Sequence, residues 1–241
     1  MKDEKTLRIL QLYPRDMNIY GDLGNTLVLQ KRIEWHGYKA ELVEYNPGDK
    51  FPSDVDIIVG GGGQDSGQDI VQADLLKISP KLHELANAGT PMLMICGLYQ
   101  LFGRFFKTST GHMIEGIGLL DVETIGGPER LIGNIITHSE QFGDIIGYEN
   151  HSGKTFLGPG VKPLGDVIRG AGNNGEDNHE GARFKNVIGT YLHGSLLPKN
   201  PLIADFLIEA AIVKKYGDFT PNVIDDTFAD KARLVAVKRP R

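Results

Sequence analysis

The chain has 241 residues, enough to bury one large core or two modest ones. Hydrophobic residues make up 40% and charged residues 24%, and the net charge of −5 comes with no long block of one sign, so nucleic-acid binding and membrane insertion find no support. One cysteine excludes an internal disulfide and a cysteine-rich zinc site. The opening MKDEKTLRIL lacks the apolar centre of a secretory signal, and no stretch approaches the roughly 18 apolar residues that span a bilayer. A cytoplasmic protein is expected.

Strand and helix signals alternate over the first hundred residues. TLRILQLY (6–13) and KAELVEY (39–45) predict strands, with the helical spacing of GNTLVLQKRIEWHG (24–37) between them and a stop at Gly37. DVDIIVG (54–60) is a short apolar run ending in glycines, the pattern of a buried parallel strand. QDIVQADLLKISPKLHELANAG (68–89) predicts a helix with a kink or break near Pro80. PMLMI (91–95) is another buried strand, and LYQLFGRFF opens a helix. Such an order predicts an open α/β sheet, mostly parallel and covered on both faces, with ligands at the carboxyl ends of its strands. From about residue 114 strand-like segments dominate and are expected to add antiparallel strands to the same sheet. PLIADFLIEAAIVKKYG (201–217) predicts a final helix, and TPNVIDDTFADKARLVAVKRPR shows no core periodicity. The expected organisation is one domain over 1–220 and a tail over 221–241 that could help docking to a partner.

Three features point to one edge of that sheet. Cys96 lies between a strand end and a helix start, the elbow that lifts a nucleophile above a sheet, where the helix N-terminus favours thiolate. Equally, a lone cysteine is a common buried filler. VGGGGQDSG (59–67) lacks the lysine of a P-loop and the spacing of a dinucleotide loop, which leaves bare backbone N–H groups able to form one arm of an oxyanion hole, with Gly97 as the other. His193, at the end of NVIGTYLHG, could serve Cys96 as general base, or be a strand-end histidine touching solvent. His36, His83, His112, His138 and His179 fall in polar or helical contexts and are expected at the surface.

In order along the chain, MNIYGDLGN (17–25), GGGGQD (60–65), ICGLYQ (95–100), ERLIGNI (129–135), GYENHSGKT (147–155), GAGNN (170–174) and GTYLHGSLLPKNP (189–201) resemble the class I glutamine amidotransferases. The resemblance is closest to the CobB/CobQ-like branch, whose short GatD-type members pair with a Mur-ligase-like subunit, MurT. It implies a flavodoxin-like fold and a thioester mechanism on L-glutamine, with Cys96 as nucleophile and His193 as its base. It also implies Arg130 on the α-carboxylate of glutamine, the backbones of Gly62, Gly63 and Gly97 around the oxyanion, and His151 and Gln100 lining the site. No metal or cofactor is implied on this chain; ATP and magnesium belong to the partner, which would amidate lipid II. An acceptor such as a corrinoid, or a silent regulatory subunit, is the alternative.

Two positions depart from the family pattern. Leu98 stands where most members have glycine and is expected to shift the helix start or narrow the pocket. Ser195 stands where many class I enzymes carry the glutamate of a triad. A Cys–His dyad that is incomplete without a partner is therefore expected.

Overall fold

The computed structural model describes residues 5–19 and 21–241. Its first layer is a six-stranded sheet made of β1 (Thr6–Leu12), β2 (Lys39–Tyr45), β3 (Ile57–Gly60), β4 (Met92–Ile95), β11 (Ala182–Phe184) and β12 (Val187–Thr190). Their order is β11-β12-β4-β3-β1-β2, with every pairing parallel except β11 against β12. β3, β4 and β12 are buried at every position, as their unbroken apolar runs require of strands covered on both faces. The helices are α1 (Leu23–Trp35), α2 (Asp65–Asn87), α3 (Gly97–Phe102), α4 (Pro201–Tyr216) and α5 (Thr227–Val237).

Successive connections carry the chain from β1 to β2 on one side and to β3 on the other, so the loops at the carboxyl ends of β1, β3, β4 and β12 converge on one edge. That edge receives Asp22, the glycine-rich loop, Cys96 and His193.

Most of the later strands do not extend this sheet. β5 (Phe105–Lys107), β6 (Met113–Glu115), β7 (Val122–Ser139), β9 (Gly165–Arg169) and β10 (His179–Glu180) form a second sheet in the order β10-β9-β7-β5-β6, and β8 (Gly143–Leu157) pairs with β7. Only β11 joins the first sheet antiparallel, which corrects the expectation of a single extended sheet. The register of the long β7–β8 hairpin shifts between Gly126 and Leu131, next to Arg130.

α2 runs without a break through Pro80. The segment after residue 220 is not formless: α5 forms, yet none of its residues is buried. Buried Arg32 of α1 grips Asp205 of α4 and Asp226 just before α5, which fastens the start of that segment to the body. His36 also departs from expectation, because it is buried against Phe219 and near Asp205. Among the described residues no helix is long and apolar enough to cross a membrane.

Candidate active site

β4 leads directly into Cys96, whose N–H donates to the Thr190 carbonyl of β12, 2.8 Å away. The next turn places Cys96 at φ 50° and ψ −102°, a backbone conformation costly for any side chain other than glycine. Such strain is retained where it aims a nucleophile. The thiol is 6% exposed and lines a cavity of about 390 Å³, together with Gly63, Gln68, Gln100, Arg130 and Asn150. A small polar ligand fits that volume.

β12 delivers His193 to the same edge. Its N–H donates to the Tyr148 carbonyl of β8 at 2.8 Å, and its side chain is fully buried. Burial alone would lower the imidazole, but the charge of Cys96, hydrogen bonds to Asp22 and Cys96, and the Asp22 charge outweigh it and push His193 up to about 10. The imidazole beside Cys96 is therefore held as an imidazolium through neutral pH.

Asp22 is the residue that sequence reasoning missed. It precedes α1, is 3% exposed, and accepts from His193 Nδ1 at 3.3 Å and from the Gly62 N–H at 2.7 Å. An anion at a helix N-terminus is favoured, and the carboxylate fixes which imidazole nitrogen carries the proton towards it. Behind the expected Cys96–His193 pair the chain thus places a carboxylate of its own, giving a Cys96–His193–Asp22 line. The signal was present in MNIYGDLGN, but 171 residues separate the two members and no local pattern ties them. The loop after His193 is what joins them: Ser195 Oγ donates to the Gly21 carbonyl at 2.6 Å, and the Leu197 N–H donates to Asn25 Oδ1 at 2.9 Å. Gly24 is needed there, since a Cβ on it would overlap the Ser195 side chain. Ser195 thus serves as a tie for the Asp22 loop, at the position where other class I enzymes place their acid.

The oxyanion candidates divide. Gly62 gives its N–H to Asp22, so it is not an oxyanion donor and belongs to the support of the carboxylate. Gly63 and Gly97 lie face to face, close enough that a Cβ on Gly97 would come within 2.9 Å of Gly63 N. Gly63 lines the cavity with Cys96, and Gly97 follows Cys96 in the chain. Leu98 does not narrow the cavity. It is buried beneath the glycine-rich loop, against the space left by Gly60, where a Cβ would overlap Leu98 Cδ1.

Arg130 reaches the cavity from β7, exposed, with Nε donating to Asn150 Oδ1. An exposed guanidinium on the cavity wall suits a carboxylate. Gln100 lines the cavity as expected. His151 does not; it is buried and stacked on Tyr191, ring centroids 3.5 Å apart and 5° from parallel, with Nδ1 on the Gly153 carbonyl at 2.7 Å. Burial, aided by the charge of His193, pushes it down to about 4 despite the carbonyl, so it is neutral at physiological pH.

Cys96 thus sits on a strand-to-helix elbow, with a buried imidazole behind it, at the carboxyl edge of a parallel sheet, where α/β enzymes of the nucleophile-elbow type bind their substrates. Residues 8–201 match the CobB/CobQ-like glutamine amidotransferase domain, and the chain belongs to that family. It is 40% identical over 234 residues, 97% of this chain and 96% of the relative, to the lipid II isoglutaminyl synthase (glutamine-hydrolyzing) subunit GatD of Staphylococcus aureus. The subunit of the same name from Streptococcus pneumoniae is 39% identical over 214 residues, 88% of this chain and 82% of that one. A cobyric acid synthase of Mesorhizobium japonicum is 32% identical over 162 residues, 65% of this chain but 32% of its own length. PurLQS of Thermotoga maritima shares the fold, with a TM-score of 0.58 at 16% identity over 84% of this chain and 97% of that structure.

Proposed function

We propose that this chain is the glutamine-hydrolysing subunit of a lipid II isoglutaminyl synthase. The observation that carries the reading is the buried Cys96–His193–Asp22 line opening onto a cavity that Arg130 borders. Similarity of nearly full length to the two GatD subunits supplies the acceptor; the cobyric acid synthases match over a smaller share of both chains.

In the reaction the Cys96 thiolate attacks the side-chain carboxamide carbon of L-glutamine, and the carbonyl electron pair moves onto oxygen. Backbone N–H groups of Gly63 and Gly97 meet the developing oxyanion, a contribution of about 3–4 kcal/mol per donor where such donors have been removed. The His193 imidazolium gives its proton to the nitrogen, the carbon–nitrogen bond breaks and ammonia leaves, with a thioester on Cys96. Water then gives a proton to His193 as it adds to the thioester carbon, and glutamate is released with the thiolate restored. Asp22 holds the imidazole in the tautomer that both steps need.

The ammonia would pass to a Mur-ligase-like subunit (MurT) in a cytoplasmic heterodimer. With ATP and magnesium on that subunit, the α-carboxylate of D-glutamate in lipid II becomes D-isoglutamine. Residues 1–220 would form the amidotransferase domain and 221–241 a docking tail. Support for the tail's role is that α5 buries no residue of its own and leaves Phe228 82% exposed.

The test is labelling by a glutamine-mimicking diazoketone, read as intact mass, in wild type and Cys96→Ala, alone and with the Mur-ligase-like subunit. One adduct on wild type, blocked by L-glutamine and absent from Cys96→Ala, is expected. No adduct in either setting would overturn the reading. Amidation of lipid II by the pair, lost in Cys96→Ala but restored by added ammonia, is the expected result for the acceptor.

A further inference from the structure

Beneath the cavity floor lies a run of buried polar side chains that the reaction above does not use. Gln68, in the first turn of α2 and 1% exposed, donates through Nε2 to the Gly97 carbonyl at 3.1 Å and to Gln100 Oε1 at 2.8 Å. Gln100 Nε2 donates to the Tyr191 hydroxyl at 3.0 Å. Tyr191 and Thr155 hydroxyls are 2.6 Å apart, and Thr155 and Thr124 hydroxyls 2.7 Å.

The orientation of both amides in that run follows from its first member. A carbonyl can only accept, so the Gln68 atom facing Gly97 must be its nitrogen. That nitrogen requires an acceptor from Gln100, which turns the Gln100 oxygen towards α2 and its nitrogen towards Tyr191. Tyr191 accepts from Gln100 and shares a proton with the Thr155 hydroxyl, which in turn pairs with Thr124; in each hydroxyl pair either oxygen can donate. Gly153 is part of the arrangement, since a Cβ there would come within 2.5 Å of Gln100 Nε2. The His151 ring stacked on Tyr191 fixes the far side.

We propose that Gln68 is a positioning residue for the glutamine site: its buried amide braces the Gly97 peptide beside Cys96 and decides which end of the Gln100 amide faces the cavity. The proposal rests on the glutaminase reading. Gln68 and Gln100 both line the cavity with Cys96, so turning the Gln100 amide over would exchange the polar atom that an occupant meets. A displacement of about 1 Å at such a site costs on the order of a hundredfold in rate.

The experiment compares second-order labelling of Cys96 by the diazoketone, which needs glutamine recognition, with labelling by iodoacetamide, which needs only a reactive thiolate. The full chain is used with the Mur-ligase-like subunit present, as wild type, Gln68→Met, Gln68→Glu, Gln100→Met and the Gln68→Met/Gln100→Met double variant. Gln68→Met should slow the diazoketone about 10- to 100-fold and leave iodoacetamide within about twofold. Gln68→Glu, the same shape but unable to donate when ionised, should slow it at least as much, and serves should Gln68→Met fold poorly. The double variant should be no slower than the slower single variant, because both changes break one chain.

Wild-type diazoketone rates in both Gln68 variants would overturn the inference while leaving the glutaminase reading intact. So would equal slowing by both reagents, or losses that multiply in the double variant. Wild type that reacts with iodoacetamide but not with the diazoketone would overturn the glutaminase reading, and this inference with it.

Discussion

The two sides of the candidate site, the buried line behind Cys96 and the hairpin edge of the cavity, are built differently. Cys96, His193 and Asp22 come from loops at the ends of parallel strands in the first sheet and are nearly or wholly buried, each tied to backbone or to one another. Arg130 and Asn150 come from the β7–β8 hairpin of the second sheet, where Arg130 stands exposed. The contrast teaches a division of labour. Charges that perturb one another sit where water cannot screen them; under the proposed reading, the charge that would meet the carboxylate of glutamine stands in water.

The contrast is broken most directly at Asp22. Asp22→Asn keeps the shape, but with its one oxygen held by the Gly62 N–H it turns an amide N–H to the imidazole, and glutaminase kcat should fall about 10²- to 10⁴-fold with KM little changed. Steady-state ammonia release with the ligase subunit present checks this. A loss under about threefold would mean that the acid comes from another chain and that the buried side is not complete. Arg130→Ala should act on the other side, raising KM about 10- to 100-fold with kcat within about threefold, and Arg130→Lys should recover only part because it cannot offer a fork. A fall in kcat alone would place Arg130 among the reacting groups.

Smaller effects sharpen the buried side. Gly60→Ala forces a methyl onto Leu98 and should cost about 1–3 kcal/mol in denaturant unfolding. Adding Leu98→Ala should remove the clash and leave only the cost of the smaller core residue. A double variant that recovers nothing would show that Gly60 is required for another reason. Glu180, wholly buried beside Thr190 and Tyr191, is pushed up to about 8 by burial, even though the Tyr191 N–H and the Thr190 hydroxyl favour its anion. The folded chain then holds a proton that the unfolded chain releases near pH ~4.3, so this group's contribution to stability declines as pH rises towards 8. Between pH 6 and 9 wild type should lose more Tm than Glu180→Gln, by roughly a few degrees. Parallel curves for the two proteins would mean that Glu180 titrates normally.

Much of the first sheet was legible because its strands are short apolar runs, which only burial on both faces makes stable. The second sheet was not, since glycine-punctuated strands look alike whether they extend one sheet or start another. The break that Pro80 allows does not occur: α2 continues through it, and the missing hydrogen bond is borne within a long packed helix. His36 was read as a surface residue from its polar neighbours, but its position depends on Asp205 and Phe219, distant in sequence.

By itself the sequence determined the elements and the chemistry available at their ends: one cysteine at a strand-to-helix turn, a histidine closing a strand, a glycine run without phosphate-binding spacing, and an arginine in a hairpin. Local pattern suffices for these because strand burial and turn geometry are set within a few residues. Only the tertiary structure decided that Asp22 faces His193, that Gly62 serves Asp22 rather than an oxyanion, that Leu98 points into the core and that His151 stacks behind Tyr191. Each of those is a contact between segments tens to more than a hundred residues apart, where direction and distance come from how the layers pack.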